Sequence, residues 1–149
     1  MIRVQTDRFN LGDESDAFLA RLPAGTNAGA IVTFTGVVRD NDAGTLDRMV
    51  IEHYPGMTEK ALNAIRSDAM TRWSLADALI IHRHGDLHVG EQIMMVATAA
   101  RHRVAAFEAA EYLMDYLKSR APFWKKEFTK DGAEWVESKT HDEEALTRW

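Results

Sequence analysis

The run Gly29-Ala-Ile-Val-Thr-Phe-Thr-Gly-Val-Val38 constrains the fold more than any other part of the chain. It is rich in β-branched residues, and Ala30, Val32, Phe34, Gly36 and Val38 share one face of an extended segment. The other face is also apolar enough to be covered, so this strand belongs inside a layered structure. It leads into Arg39-Asp40-Asn41-Asp42-Ala43-Gly44, a polar, turn-forming stretch expected to be a mobile loop. Leu46 to Tyr54 reads as a second strand, stopped by the turn pair Pro55-Gly56.

Helical spacing follows. Ala61, Leu62, Ile65, Ala69 and Trp73 recur three and four residues apart, which predicts a helix from Met57 to Trp73. A second long helix runs from Arg103 to Lys118, with an expected buried stripe of Ala106, Phe107, Ala110, Leu113, Met114 and Leu117. Pro122 prevents that helix from continuing. A short capped helix is expected around Asp13–Leu22, ending near Pro23 and Gly25. Ala78–His82 and Gln92–Ala97 are further strands flanking a Gly85/Gly90 turn region, and a last short strand includes Trp135-Val136. The expectation is an α+β fold: a mixed or antiparallel sheet packed with two main helices in one domain spanning 1–149.

Composition narrows the function. With 149 residues, 46% hydrophobic and 28% charged, the chain can bury a core. Nine Gly and three Pro exclude collagen-like or low-complexity structure. The absence of cysteine removes disulfides, a thiol nucleophile and thiolate zinc sites, and suits a reducing compartment. No signal peptide or membrane span is evident, so a cytoplasmic location is expected. The net charge of −5 argues against a general nucleic-acid binder. Within this acidic chain, residues 101–130 carry seven basic against four acidic side chains. Such a local cluster suits a small anion better than a long polyanion.

The basic groups bracket the second long helix: His102-Arg103 at its start, Lys118 at its end, Lys125-Lys126 beyond Pro122. Lys118 lies about 100° from Leu117, at the edge of the apolar stripe, where partial desolvation makes an amine useful as acid, base or nucleophile. From spacing alone, a cation complementing the helix macrodipole accounts for it equally simply. Phe123-Trp124-Lys125-Lys126-Glu127 offers apolar walls for a flat ring and cations for an acidic group, or else an ordinary surface strand. His82, His84 and His88 are too few for a closed metal site, and a solvated strand end accounts for them. Glu52-His53 point to opposite faces and read as structural. No metal site and no resident cofactor is expected.

Taken in order, these blocks resemble a known family. Gly29–Arg39, Glu52-His-Tyr-Pro-Gly-Met57, His82-Arg83-x-Gly85, His102-Arg103, Met114-Asp-Tyr-Leu-Lys118 and Ala121-Pro-Phe-Trp-Lys-Lys-Glu127 are similar to the large, catalytic subunits of molybdopterin synthase. The resemblance runs from about Gly29 to Trp149, and residues 1–28 carry little of it. It implies an α/β-hammerhead fold and a homodimer with a small ubiquitin-like subunit at each end, a heterotetramer. That partner's C-terminal Gly-Gly thiocarboxylate would deliver sulfur twice to cyclic pyranopterin monophosphate, forming the molybdopterin dithiolene. The resemblance places the substrate pocket at Arg39, His102, Arg103, Lys118, Lys125, Lys126 and Glu127, with Lys118 and Lys125 as the essential lysines. The competing expectation is a non-catalytic module that only docks a ubiquitin-like partner.

Overall fold

The computed structural model describes residues 1–137 and 140–149. The expected strand forms as β2 (Ala30–Val37), but at the edge of a four-stranded sheet. The sheet also holds β1 (Ile2–Gln5), β4 (Asp77–Arg83) and β6 (Gln92–Ala100), in the order β1-β4-β6-β2. β1 pairs parallel to β4 and the other pairings are antiparallel, so this sheet is mixed. A second, antiparallel sheet has the order β5-β3-β7-β8, from β3 (Leu46–His53), β5 (Gly85–Leu87), β7 (Phe123–Thr129) and β8 (Gly132–Val136). The α+β expectation holds, with two sheets in place of one.

The helices are α1 (Leu11–Ala20), α2 (Met57–Arg72), α3 (Arg103–Ser119) and α4 (Thr140–Ala145), followed by a 3-10 turn at Leu146–Arg148. α1 begins earlier than expected because Asn10 caps it, its side chain accepting from the Asp13 N–H at 3.0 Å. α2 starts after Gly56, whose φ of 83° suits glycine and whose N–H donates to the Glu59 carboxylate at 2.7 Å. Alternation along β4 divides the apolar interior. Ala78 and Ile80 face the larger core, shared with α2, α3 and the second sheet, while Leu79 and Ile81 face a smaller one closed by Phe9 and Phe18.

Four expectations are corrected. Phe107 is not on the buried stripe of α3 but 59% exposed, and Ala109 and Tyr112 are buried instead. β2 is not covered on both faces, since Phe34 and Val37 are 43% and 49% exposed. His82 is no solvated strand end, because it points into the larger core and is only 4% exposed. Finally, the segment after β2 is tied down rather than loose. Asp40 Oδ1 accepts from the N–H groups of Asn41 and Leu46, and Asn41 Oδ1 accepts from that of Thr45.

Candidate functional site

α3 follows β6 after only two residues and packs back across β6 and β2. It therefore runs antiparallel to β6, and its two ends sit over opposite ends of the sheet. Its start, with His102 and Arg103, lies by the Ala30–Ala100 pairing, where Gly29 donates to the Ala100 carbonyl at 3.0 Å. A Cβ on Gly29 would come within 2.6 Å of the Arg101 carbonyl oxygen, so this close approach requires glycine. The far end of α3 carries Lys118 over the Val37–Gln92 end of β2, just beyond which Arg39 emerges.

β7 brings its lysines to the same end. The hydroxyl of Thr58, buried at the start of α2, donates to the Pro122 carbonyl and accepts from the Tyr54 N–H. This pins the Tyr54–Met57 turn against the connection from α3 to β7. Phe123, Lys125 and Glu127 then share the inward face of β7, opposite His53, Ile51 and Met49. Lys126 points outward, its Nζ 5.1 Å from the Trp135 ring centre and 5.5 Å from that of Phe128. Strand alternation thus separates it from Glu127, the ion-pair partner that adjacency suggests. Glu127 instead lines an open cleft of about 500 Å³ with Asn41, Asp131 and Glu134.

The expected site residues thus fall into two groups. Arg39, Lys118, Lys125 and Glu127 lie toward one end of the α3–sheet layer, and His102 and Arg103 at the other. Arg103 and Lys118 are 15 positions apart on one helix, about 22 Å along its axis. Within one chain they therefore sit at separate ends of the helix. Arg39, His102, Arg103 and Lys118 are all exposed, so the desolvation expected for Lys118 is absent in the single chain, while Lys125, Lys126 and Glu127 are half-buried.

The histidines form a cluster that sequence reasoning missed. The His82 ring stacks on Phe123 with centres 3.6 Å apart, and His53 lies 4.2 Å from His84. Burial, reinforced by Lys125, His53 and His84, pulls His82 down to about 3 against the opposing effect of its bond to the Arg83 carbonyl. His84 is also lowered, by burial first and then by His53. Among the described residues no three His, Asp or Glu side chains gather as metal ligands.

A family model described as MoaE protein matches residues 4–120. The chain belongs to the MoaE family. A molybdopterin synthase catalytic subunit from Cereibacter sphaeroides is 60% identical over 148 residues, covering 99% of both chains. The structure of a molybdopterin biosynthesis MoaE protein from Burkholderia ambifaria superposes with a TM-score of 0.84 at 50% identity, covering 100% of this chain and 97% of that one. A Staphylococcus aureus molybdopterin synthase structure gives 0.80 at 28% identity, covering 91% and 96%. The MoaE match begins at residue 4, well before Gly29, so it takes in the end of β1 and all of α1. Both elements are integral: β1 pairs with β4, and Phe18 of α1 is fully buried.

Proposed function

We propose that this chain is the catalytic subunit of a molybdopterin synthase. It moves sulfur from the C-terminal thiocarboxylate of a small ubiquitin-like carrier to cyclic pyranopterin monophosphate, as a cytoplasmic, single-domain protein. The observation that carries this reading is the gathering of Arg39, Lys118 and Lys125 toward one end of the α3–sheet layer in a MoaE chain. Donor and acceptor are both anions, and these guanidinium and ammonium groups suit a site that holds them together. Lys118 and Lys125 act at the reacting centre, Arg39 anchors phosphate, and Glu127 borders the pterin.

His102 and Arg103 enter this reading through a second copy. β2 is an edge strand whose outer side pairs with no other strand among the described residues, with Phe34 and Val37 exposed, and Val104 and Phe107 are exposed on the helix that packs against it. Two copies meeting along β2 about a two-fold axis run antiparallel, so the Ala30 end of one lies beside the Val37 end of the other. That arrangement brings His102 and Arg103 of one copy toward Arg39 and Lys118 of its mate, completing two anion sites per dimer.

The test is reconstitution. The purified chain, mixed with thiocarboxylated carrier and the cyclic pterin, should form dithiolene in proportion to carrier consumed. Tight carrier binding with no sulfur reaching the pterin would favour the docking-module alternative and sink this one.

A further inference from the structure

Architecture accounts for two members of the His82-Arg83-x-Gly85 motif. Arg83 donates to the Thr6 carbonyl, the Gln92 carbonyl and the Glu91 carboxylate, joining β1 to the turn before β6. Gly85 has a φ of 88°, which side chains rarely adopt. His82 is left over. Its neighbours on the same face of β4 are Ala78 and Ile80, and an aliphatic side chain there would avoid the cost of burying an imidazole.

The geometry around His82 defines what its ring offers. Nδ1 lies 2.8 Å from the Arg83 carbonyl oxygen, which can only accept, so Nδ1 carries the proton. The buried ring is neutral, leaving Nε2 as a bare acceptor. One ring face is covered by Phe123, and Lys125 follows two residues later on the same inward face of β7. The other titratable groups around the cluster are His53 on β3 and His84 after β4, with Glu59 of α2 acting on His84.

We propose that His82 is a positioning residue for Lys125: its neutral imidazole, with the proton fixed on Nδ1, presents Nε2 as the acceptor that holds the Lys125 ammonium at the inner face of β7. Its catalytic consequence rests on the reading of Lys125 as a reacting group, but the contact itself does not. Held this way, Lys125 loses rotamer freedom before substrate arrives, which lowers the cost of reaching the productive geometry.

The experiment acylates the intact protein with acetic anhydride at fixed pH and quantifies each lysine by mass spectrometry. In His82→Leu the rate at Lys125, relative to Lys60 and Lys130, should rise about tenfold, the equivalent of about 1.4 kcal/mol. His82→Gln, which keeps an acceptor near the Nε2 position, should stay within about threefold of wild type. In the sulfur-transfer assay His82→Leu should lower kcat with KM for carrier and pterin unchanged. Unchanged Lys125 reactivity in folded His82→Leu overturns the proposal, as does a Gln variant no better than Leu. Nitrogen NMR of wild-type histidines decides the matter even if His82→Leu does not fold. His82 must be the Nδ1–H tautomer with an Nε2 shift that moves in Lys125→Ala, and an Nε2–H tautomer overturns the contact. Normal turnover by Lys125→Ala would instead remove the catalytic reading and leave the contact standing.

Discussion

Arg83 donates from Nη1 to Glu91 Oε2 at 3.0 Å, and the two side chains are only 6% and 14% exposed. The same guanidinium bonds the Thr6 and Gln92 carbonyls, so one side chain fastens the N-terminal strand to the turn between β5 and β6. Removing it takes a donor from two carbonyls and leaves the Glu91 carboxylate with Arg8 alone. Arg83→Met should therefore lose about 3 kcal/mol of stability, measured by urea denaturation at neutral pH. A loss below about 1 kcal/mol would mean that water replaces the guanidinium.

Glu91 makes the stability sensitive to acid. Burial pushes its carboxyl up, but hydrogen bonds from Arg83 and Arg8 outweigh this and hold it below its ordinary value of 4.5. A carboxyl with a depressed folded-state pKa contributes stability that is present above its unfolded value and lost as pH falls through the folded one. Unfolding free energy should decline as pH drops below about 4.5, and Glu91→Gln should show a shallower decline. Parallel wild-type and Glu91→Gln curves down to pH 3 would assign the acid sensitivity elsewhere, with Asp77 next in line.

Periodicity made the long elements legible because it reports which face is buried: β2, β3, α2 and α3 stand close to their expected limits. β1 and β5, of four and three residues, are too short to establish a period, and the C-terminal α4 has no apolar stripe to announce it. Phe107 was misplaced because a stripe of width near 100° does not say which of its edges the sheet will cover. The chemistry-bearing residue types were visible, and so, in the length of α3, was the gap between Arg103 and Lys118. The burial of His82 was not. It depends on Phe123, 41 positions away, arriving through the pairing of β7 with β3.

Lys118→Ala should reduce sulfur transfer at least about a hundredfold, the scale expected when a charge aimed at the reacting centre is removed. Lys118 is exposed at the last turn of α3, so circular dichroism and carrier binding should stay near wild type. Normal turnover would take this lysine out of the chemistry.

Lys125 and Lys126 separate by face. Lys126 sits over Trp135 and Phe128 on the outside of the second sheet, so Lys126→Ala should cost less than about fivefold in rate. Lys125 faces inward beside the His82–Phe123 stack, and Lys125→Ala should cost about a hundredfold or more. Lys125→Arg keeps charge but not a compact amine, and near-normal activity there would confine the residue to electrostatics. Equal losses for the two alanine variants would contradict the strand register as the basis of the choice.

The two-copy site makes the sharpest demand. If each site takes Lys118 from one chain and Arg103 from the other, Lys118→Ala and Arg103→Ala are defects in different halves of one site. Homodimers of either variant have two damaged sites. A heterodimer places both lesions in one site and leaves the other intact. Unfolding and refolding the two inactive variants together at equal concentration should make half of the dimers mixed, restoring roughly a quarter of wild-type activity. Within one chain about 22 Å separates the two residues along the helix, so a site shared across the dimer is the arrangement that brings them closest. A mixture no more active than the sum of its components would show that Arg103 and Lys118 do not meet across the dimer, and Arg103 would then have to act on the carrier instead.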